Sequence, residues 1–124
     1  MTLSIGAFVS PIRYRWAALL TVAALAGCGS NTETAADRGH DLILHYGCGA
    51  CHTIGGVRGA DAEVGPRLTN FRDGRYIAGR LVRNHRNTVR WILDPRAIEP
   101  HTIMPDLGVS RAEADAIATY HFGQ

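Results

Sequence analysis

Two apolar patterns divide the chain. The first is a block: Trp16 to Ala26 (WAALLTVAALA) runs without a charge behind Arg13 and Arg15, the only charged residues before Glu33. Eleven residues match the apolar region of an export signal, about 7–15 long, and fall short of the ~20 needed to span a bilayer. A buried core helix is the alternative reading of the same run. The second pattern is periodic. Leu42, Ile43 and Tyr46 recur at helical spacing, which predicts a helix over about 36–46 with Asp37 in its first turn and Gly47 ending it. Near the C-terminus, Ser110 and Glu113 have the spacing of a capping box, and Ala114, Ile117 and Ala118 then share one face, with Tyr120 and His121 following. Asn87 is the expected cap of a short helix through Leu93, which Asp94-Pro95 would end. A further helical turn is expected within Asn70–Gly79. The glycine-rich stretch Gly47–Gly65 reads as loop, and no run alternates as a strand. The expected fold class is all-α.

Composition narrows what such a fold can be. A chain of 124 residues is one small domain, which excludes a large enzyme, a multi-domain receptor and a polytopic membrane protein. All thirteen basic residues are arginine, and against eleven acids they leave a formal charge of +2. That balance argues against a nucleic-acid binder, whose domain is usually strongly basic. Three cysteines are too few for a disulfide-stapled scaffold.

The cysteines resolve one by one. Leu25-Ala26-Gly27-Cys28 resembles a bacterial lipobox, in which a small residue precedes the cysteine that becomes the lipidated N-terminus. The resemblance implies a signal peptide over 1–27 and a lipid anchor on Cys28; ordinary signal cleavage with Cys28 incidental is the alternative. One acyl chain binds a membrane only marginally, whereas several on one residue hold firmly. Residues 28–36 then read as the lipidated cysteine and a small polar tether, and residues 37–124 as the folded domain. Eight extended tether residues reach at most about 28 Å, so the domain would stay near the membrane surface.

Cys48 and Cys51 fall in Cys48-Gly49-Ala50-Cys51-His52, and C-x-x-C-H is the attachment signature of c-type haem. The chemistry fits the spacing. Two thiols add to two vinyl groups on one edge of the ring, and the histidine that follows comes under the iron. Gly49 and Ala50 are small enough for the short loop to lie against a porphyrin. A thioredoxin-like pair needs a βαβ setting that is absent here. A structural zinc site needs four ligands. A Cys48–Cys51 disulfide would leave His52 unexplained.

A six-coordinate iron needs a second axial ligand. Besides the initiator, the chain has one methionine, Met104, in Ile103-Met104-Pro105. A lone methionine is also a common core filler. His45, His85, His101 and His121 compete for the role, His101 most seriously because it is three residues away. A Met/His pair gives a higher potential than bis-His ligation.

From about Asp37 to the C-terminus the chain resembles a class I cytochrome c, and most of all the haem-bearing domain at the tail of subunit II of caa3-type oxidases. The resemblance rests on an ordered set: Tyr46 to Ile54 around the haem motif, Gly65-Pro66-Arg67-Leu68-Thr69, Tyr76-Ile77-Ala78-Gly79, Trp91-Ile92 with Asp94-Pro95, and Met104 to Gly108. It implies about three to five short helices around one covalent haem c. It implies that the Pro66 carbonyl accepts from the second nitrogen of His52, that Gly39 meets Tyr120 where the first and last helices cross, that Tyr76 and Trp91 contact haem, and that Arg75 pairs with a propionate. The lysine ring of many soluble cytochromes has no counterpart in a chain without lysine.

With His52 and Met104 on the iron no position is open to a substrate. The expectation is an electron carrier rather than an enzyme, with a redox protein donor and acceptor among membrane respiratory complexes, no nucleic acid and no small-molecule substrate. The expected place is the cell envelope, on the extracytoplasmic or periplasmic side of a membrane. A haem-based gas or redox sensor, or a haem enzyme with a labile sixth ligand, is the alternative. Arg72 to Arg96 holds seven arginines and two acids, whereas the stretch from Ala97 holds one arginine and four acids. The basic stretch suits docking to an acidic partner, or simply a solvated face.

Overall fold

The computed structural model describes residues 33–124. The expected signal segment 1–27, the expected lipidation site Cys28 and the expected tether as far as Thr32 lie outside the described residues. Among the described residues no helix is long and apolar enough to cross a membrane.

Helix α1 is Ala35–His45. It opens one residue earlier than the hydrophobic period suggests, because Thr34 is its cap: Thr34 Oγ1 accepts from the Asp37 N–H at 3.1 Å and the Asp37 carboxylate accepts from the Thr34 N–H at 3.0 Å. This reciprocal bonding satisfies two otherwise orphaned donors, so Ala35 and Ala36 are helical behind the Thr34 cap. Gly47, at φ +67°, ends the segment in a left-handed turn open to glycine. The expected box also opens the last helix, α4 (Arg111–Gly123), with Ser110 and Glu113 bonded reciprocally.

Between them lie α2 (His85–Leu93) and α3 (Pro95–Ile98). The cap of α2 is Asn84, not Asn87: the Asn84 side chain accepts from the Asn87 N–H at 2.9 Å, which places Asn87 inside the first turn. Asp94 ends α2 and caps α3 through the Ala97 N–H, with Pro95 at the first helical position, where no N–H is needed. The turn expected within 70–79 is a 3₁₀ turn at Phe71–Asp73. Two short strands correct the strand-free expectation: β1 (Tyr76–Ile77) pairs antiparallel with β2 (Leu81–Val82). Ala78 and Gly79 both take positive φ in the connecting turn, as a tight hairpin demands. Strands of two residues show no alternation, and alanine is a poor advertisement for a left-handed turn. The domain remains all-α in class.

Helix α1 crosses α4 at Gly39. A Cβ there would strike the Ala116 carbonyl and come within 2.9 Å of Tyr120 Cβ, so only glycine allows the approach. The core gathers Ile43, Val89, Ala114, Ile117 and Ala118 from α1, α2 and α4, with Ile54, Val57 and Ala60 from the loop after the haem motif. Tyr46 ties α1 to the start of α4 through its hydroxyl, which donates to Glu113 at 3.0 Å.

Candidate haem site

The motif sits on a short 3₁₀ turn, Cys48–Ala50, entered through the left-handed Gly47. The Cys51 and His52 N–H groups both donate to the Cys48 carbonyl, so the turn brings both sulfur-bearing residues and His52 into one tight loop. Both thiols are free and half-buried. Burial pushes the Cys48 thiol up, against a smaller downward pull from its own backbone. Gly49 lies against Ala60: a Cβ at Gly49 would come within 2.8 Å of the Ala60 Cβ. The small residues between the cysteines therefore also serve the protein's own packing.

His52 is held by the segment that follows. Its Nδ1 lies 2.7 Å from the Pro66 carbonyl oxygen. A carbonyl only accepts, so Nδ1 carries the proton and Nε2 keeps its lone pair. Two backbone bonds clamp this arrangement: Gly65 N–H to the Cys51 carbonyl at 2.7 Å and Leu68 N–H to the Thr53 carbonyl at 2.8 Å. A Cβ on Gly65 would run into the His52 ring, so this glycine is what lets the Pro66 carbonyl reach Nδ1. Thr53 pairs with Asp61 in an isolated bridge, and its hydroxyl donates to the Ala62 carbonyl, folding the intervening loop back.

The other expected residues lie on later segments. Met104 is half-buried in the loop between α3 and α4, its N–H donating to Thr102 Oγ1 at 3.2 Å. Trp91 is half-buried on α2. Tyr76 is 56% exposed on β1, and Arg75 is exposed just before it. Among the described residues no hydrogen bond joins these four to the Cys48–His52 loop. Of the competing histidines, His45 meets Tyr46 edge to face and His85 bonds the Thr119 hydroxyl. His101 is exposed, its backbone N–H donating to Glu99. His121 is packed into the core against Phe71, ring centroids 5.2 Å apart, with Nδ1 buried and unpartnered. Burial, then the nearby His52, lowers its pKa to about 4.

Residues that pattern reasoning missed include Gly65 as the seat of His52, Thr34 as a cap, and Arg83. Arg83 is one arginine among many in the sequence, and only the fold shows that it turns inward.

The cytochrome c family model matches residues 36–120. The chain belongs to the cytochrome c family. Cytochrome c oxidase subunit 2 of Alkalihalophilus pseudofirmus (strain OF4) is 34% identical over 90 residues, covering 72% of this chain and 25% of that protein. Cytochrome c oxidase subunit 2 of Bacillus sp. strain PS3 is 29% identical over 93 residues, covering 72% of this chain and 26% of its own length. The chain thus spans about a quarter of the curated relatives it matches. No solved structure matches it. As a class I cytochrome c it takes covalent haem c, and the donor set fits that group: two free thiols at the attachment spacing, an imidazole with Nε2 left for iron, and a carbonyl fixing the ring.

Proposed function

We propose that this cytochrome c carries single electrons in a respiratory chain, anchored to a membrane through lipid on Cys28, and delivers them to a terminal oxidase or reductase. The observation that carries the reading is the 2.7 Å contact of His52 Nδ1 with the Pro66 carbonyl. Such a partner orients a ligand histidine, fixes its tautomer and raises its basicity. That is the preparation of an axial ligand rather than of a surface histidine.

When bound, haem supplies a reversible one-electron couple; the chain supplies everything else. Cys48 and Cys51 would hold haem through thioether bonds, and His52 and Met104 would ligate its iron. Pro66 fixes His52, Tyr76 and Trp91 would pack against the haem, and Arg75 would pair with a propionate. Two strong-field protein ligands leave no site for substrate, which is why the reading is a carrier and not an enzyme. The relatives' identity as oxidase subunits supports a respiratory partner, and the lipobox-like Leu25 to Cys28 supports the anchor and an extracytoplasmic location.

Carbon monoxide added to the reduced holoprotein at neutral pH separates the readings. A carrier with Met104 firmly bound leaves the spectrum unchanged. A shifted spectrum contradicts it and favours a sensor or an enzyme with a labile sixth ligand. Replacing Cys28 by Ser is expected to release the holoprotein from membranes into the soluble fraction; retention on membranes would remove the lipid anchor from the account.

A further inference from the structure

The loop that carries Met104 runs without helix or strand from Glu99, the last cap of α3, to Ser110, the first cap of α4. Its near end is organised around one residue. The Glu99 N–H donates to the Pro95 carbonyl at 2.9 Å, and the Glu99 carbonyl accepts from the Thr102 N–H at 3.0 Å. One side-chain oxygen, Oε1, accepts from the His101 N–H at 3.3 Å. The Thr102 hydroxyl oxygen accepts in turn from the Met104 N–H at 3.2 Å. A short chain of bonds thus leads from Glu99 to the Met104 backbone.

The other oxygen of Glu99 reaches a different segment. Oε2 accepts from Arg80 Nε at 2.7 Å. Arg80 closes the turn of the β1–β2 hairpin: its N–H donates to the carbonyl of buried Ile77 at 2.9 Å, and Ala78 and Gly79 between them take positive φ. The guanidinium therefore starts from a tight, anchored turn. Among the described residues, no other hydrogen bond of the protein joins residues 99–109 to a segment beyond α3. The bond from Arg80, then that from the His101 N–H, holds the Glu99 carboxyl below the usual carboxylate range, so the contact is a charge-assisted one. Ion pairs on an open surface contribute little. This one differs in placement: the Glu99 side chain is 20% exposed, and the same carboxylate bonds the loop backbone.

We propose that the Arg80–Glu99 pair is a latch that fastens the Met104 loop to the β1–β2 hairpin and so keeps Met104 seated as an iron ligand. Arg80 and Glu99 are positioning residues in this account, which rests on the reading that Met104 is the sixth ligand. The argument is one of local opening. A loop with few bonds to the rest of its fold opens at a free energy far below that of global unfolding. An external ligand can replace Met104 only while the loop is open, so its apparent affinity scales with the open fraction. Breaking the latch raises that fraction.

Equilibrium titration of the oxidised holoprotein with imidazole, read from the haem spectrum and the loss of the methionine–iron band, tests this in the parent, Arg80→Ala, Glu99→Ala, the double variant and Glu63→Ala. The last breaks the Arg67–Glu63 pair, an ion pair outside the Met104 loop. Arg80→Ala is expected to keep the band before imidazole is added and to bind imidazole about two- to fivefold more tightly than the parent, the range that such a pair allows. Glu99→Ala is expected to bind at least as tightly as Arg80→Ala, the double variant no more tightly than Glu99→Ala, and Glu63→Ala like the parent. Parent-like affinity in folded Arg80→Ala overturns the proposal. So does an equal gain in Glu63→Ala, or a further gain from Arg80→Ala once Glu99 is already replaced. If Arg80→Ala yields no holoprotein, Arg80→Gln, which keeps most of the stem and loses the charge, carries the same comparison. A parent that binds haem without a methionine–iron band removes the Met104 reading and the latch with it, whereas an unresponsive Arg80→Ala in a protein that shows the band removes the latch alone.

Discussion

At the scale of single residues, the site is built by close approaches that side-chain chemistry alone does not announce. The pentapeptide Cys48–His52 is legible in the sequence because thiol spacing and the adjacent histidine are set by the chemistry of attachment. Gly65 is not legible: its role appears only when the His52 ring lies where its Cβ would be. His121 is similar. In the sequence it is a histidine near a chain end, yet it is 4% exposed with one ring nitrogen unpartnered. Its pKa, lowered from 6.5 to about 4 by burial and then by His52, makes a prediction with a definite sign. The folded state prefers the neutral ring, so this stabilisation is fully present above pH 6.5 and is lost as pH falls towards 4. Across that window the linkage removes about 3 kcal/mol. Denaturant unfolding of the holoprotein at pH 7 and pH 4.5 is expected to show a smaller acid loss in His121→Leu than in the parent. Equal losses would mean that His121 is not held neutral.

At the scale of elements, capping and helix crossing dominate. The last helix was readable from Ser110 and Glu113 because a capping box uses side chains fixed in sequence spacing. The start of α2 differs from the expected Asn87 because the run Asn84-His85-Arg86-Asn87 offers two equivalent amides, and only the bond from the Asn87 N–H selects Asn84. The hairpin β1–β2 escaped because its strands are too short for a period. The α1–α4 crossing makes the clearest prediction at this scale. Gly39→Ala forces a methyl into the Ala116 carbonyl and against Tyr120, and overpacking of this kind costs about 1–3 kcal/mol. Chemical unfolding should report that loss although the helix propensity of alanine is higher than that of glycine. A neutral or stabilising effect would show that the two helices separate at no cost.

At the scale of the whole molecule, the protein part of the core is thin. Among the described residues the twelve buried hydrophobic side chains include four alanines, and a domain of this size is marginal without additional buried apolar surface. Haem supplies such surface, so material with both Cys48 and Cys51 replaced by Ser and matured without haem is expected to lack a cooperative thermal transition by circular dichroism. A sharp transition would show that the polypeptide folds alone. Charge is also organised at this scale: the arginine-rich stretch 72–96 precedes an acidic C-terminal stretch. If the basic stretch docks an acidic redox partner, the second-order rate of electron exchange with that partner falls as salt is raised, because screening shortens the reach of exposed charges. A rate independent of ionic strength would assign those arginines to solvation alone.

A single covalent haem is proposed between His52 and Met104, and the optical spectrum of the purified holoprotein, oxidised and reduced, is the first test of it. Sharp c-type bands are expected on reduction, and in the oxidised form a weak long-wavelength methionine–iron band that Met104→Ala abolishes. Haem present without that band would place His101 or an open position opposite His52. No haem, in material matured with the attachment machinery, would contradict the account altogether.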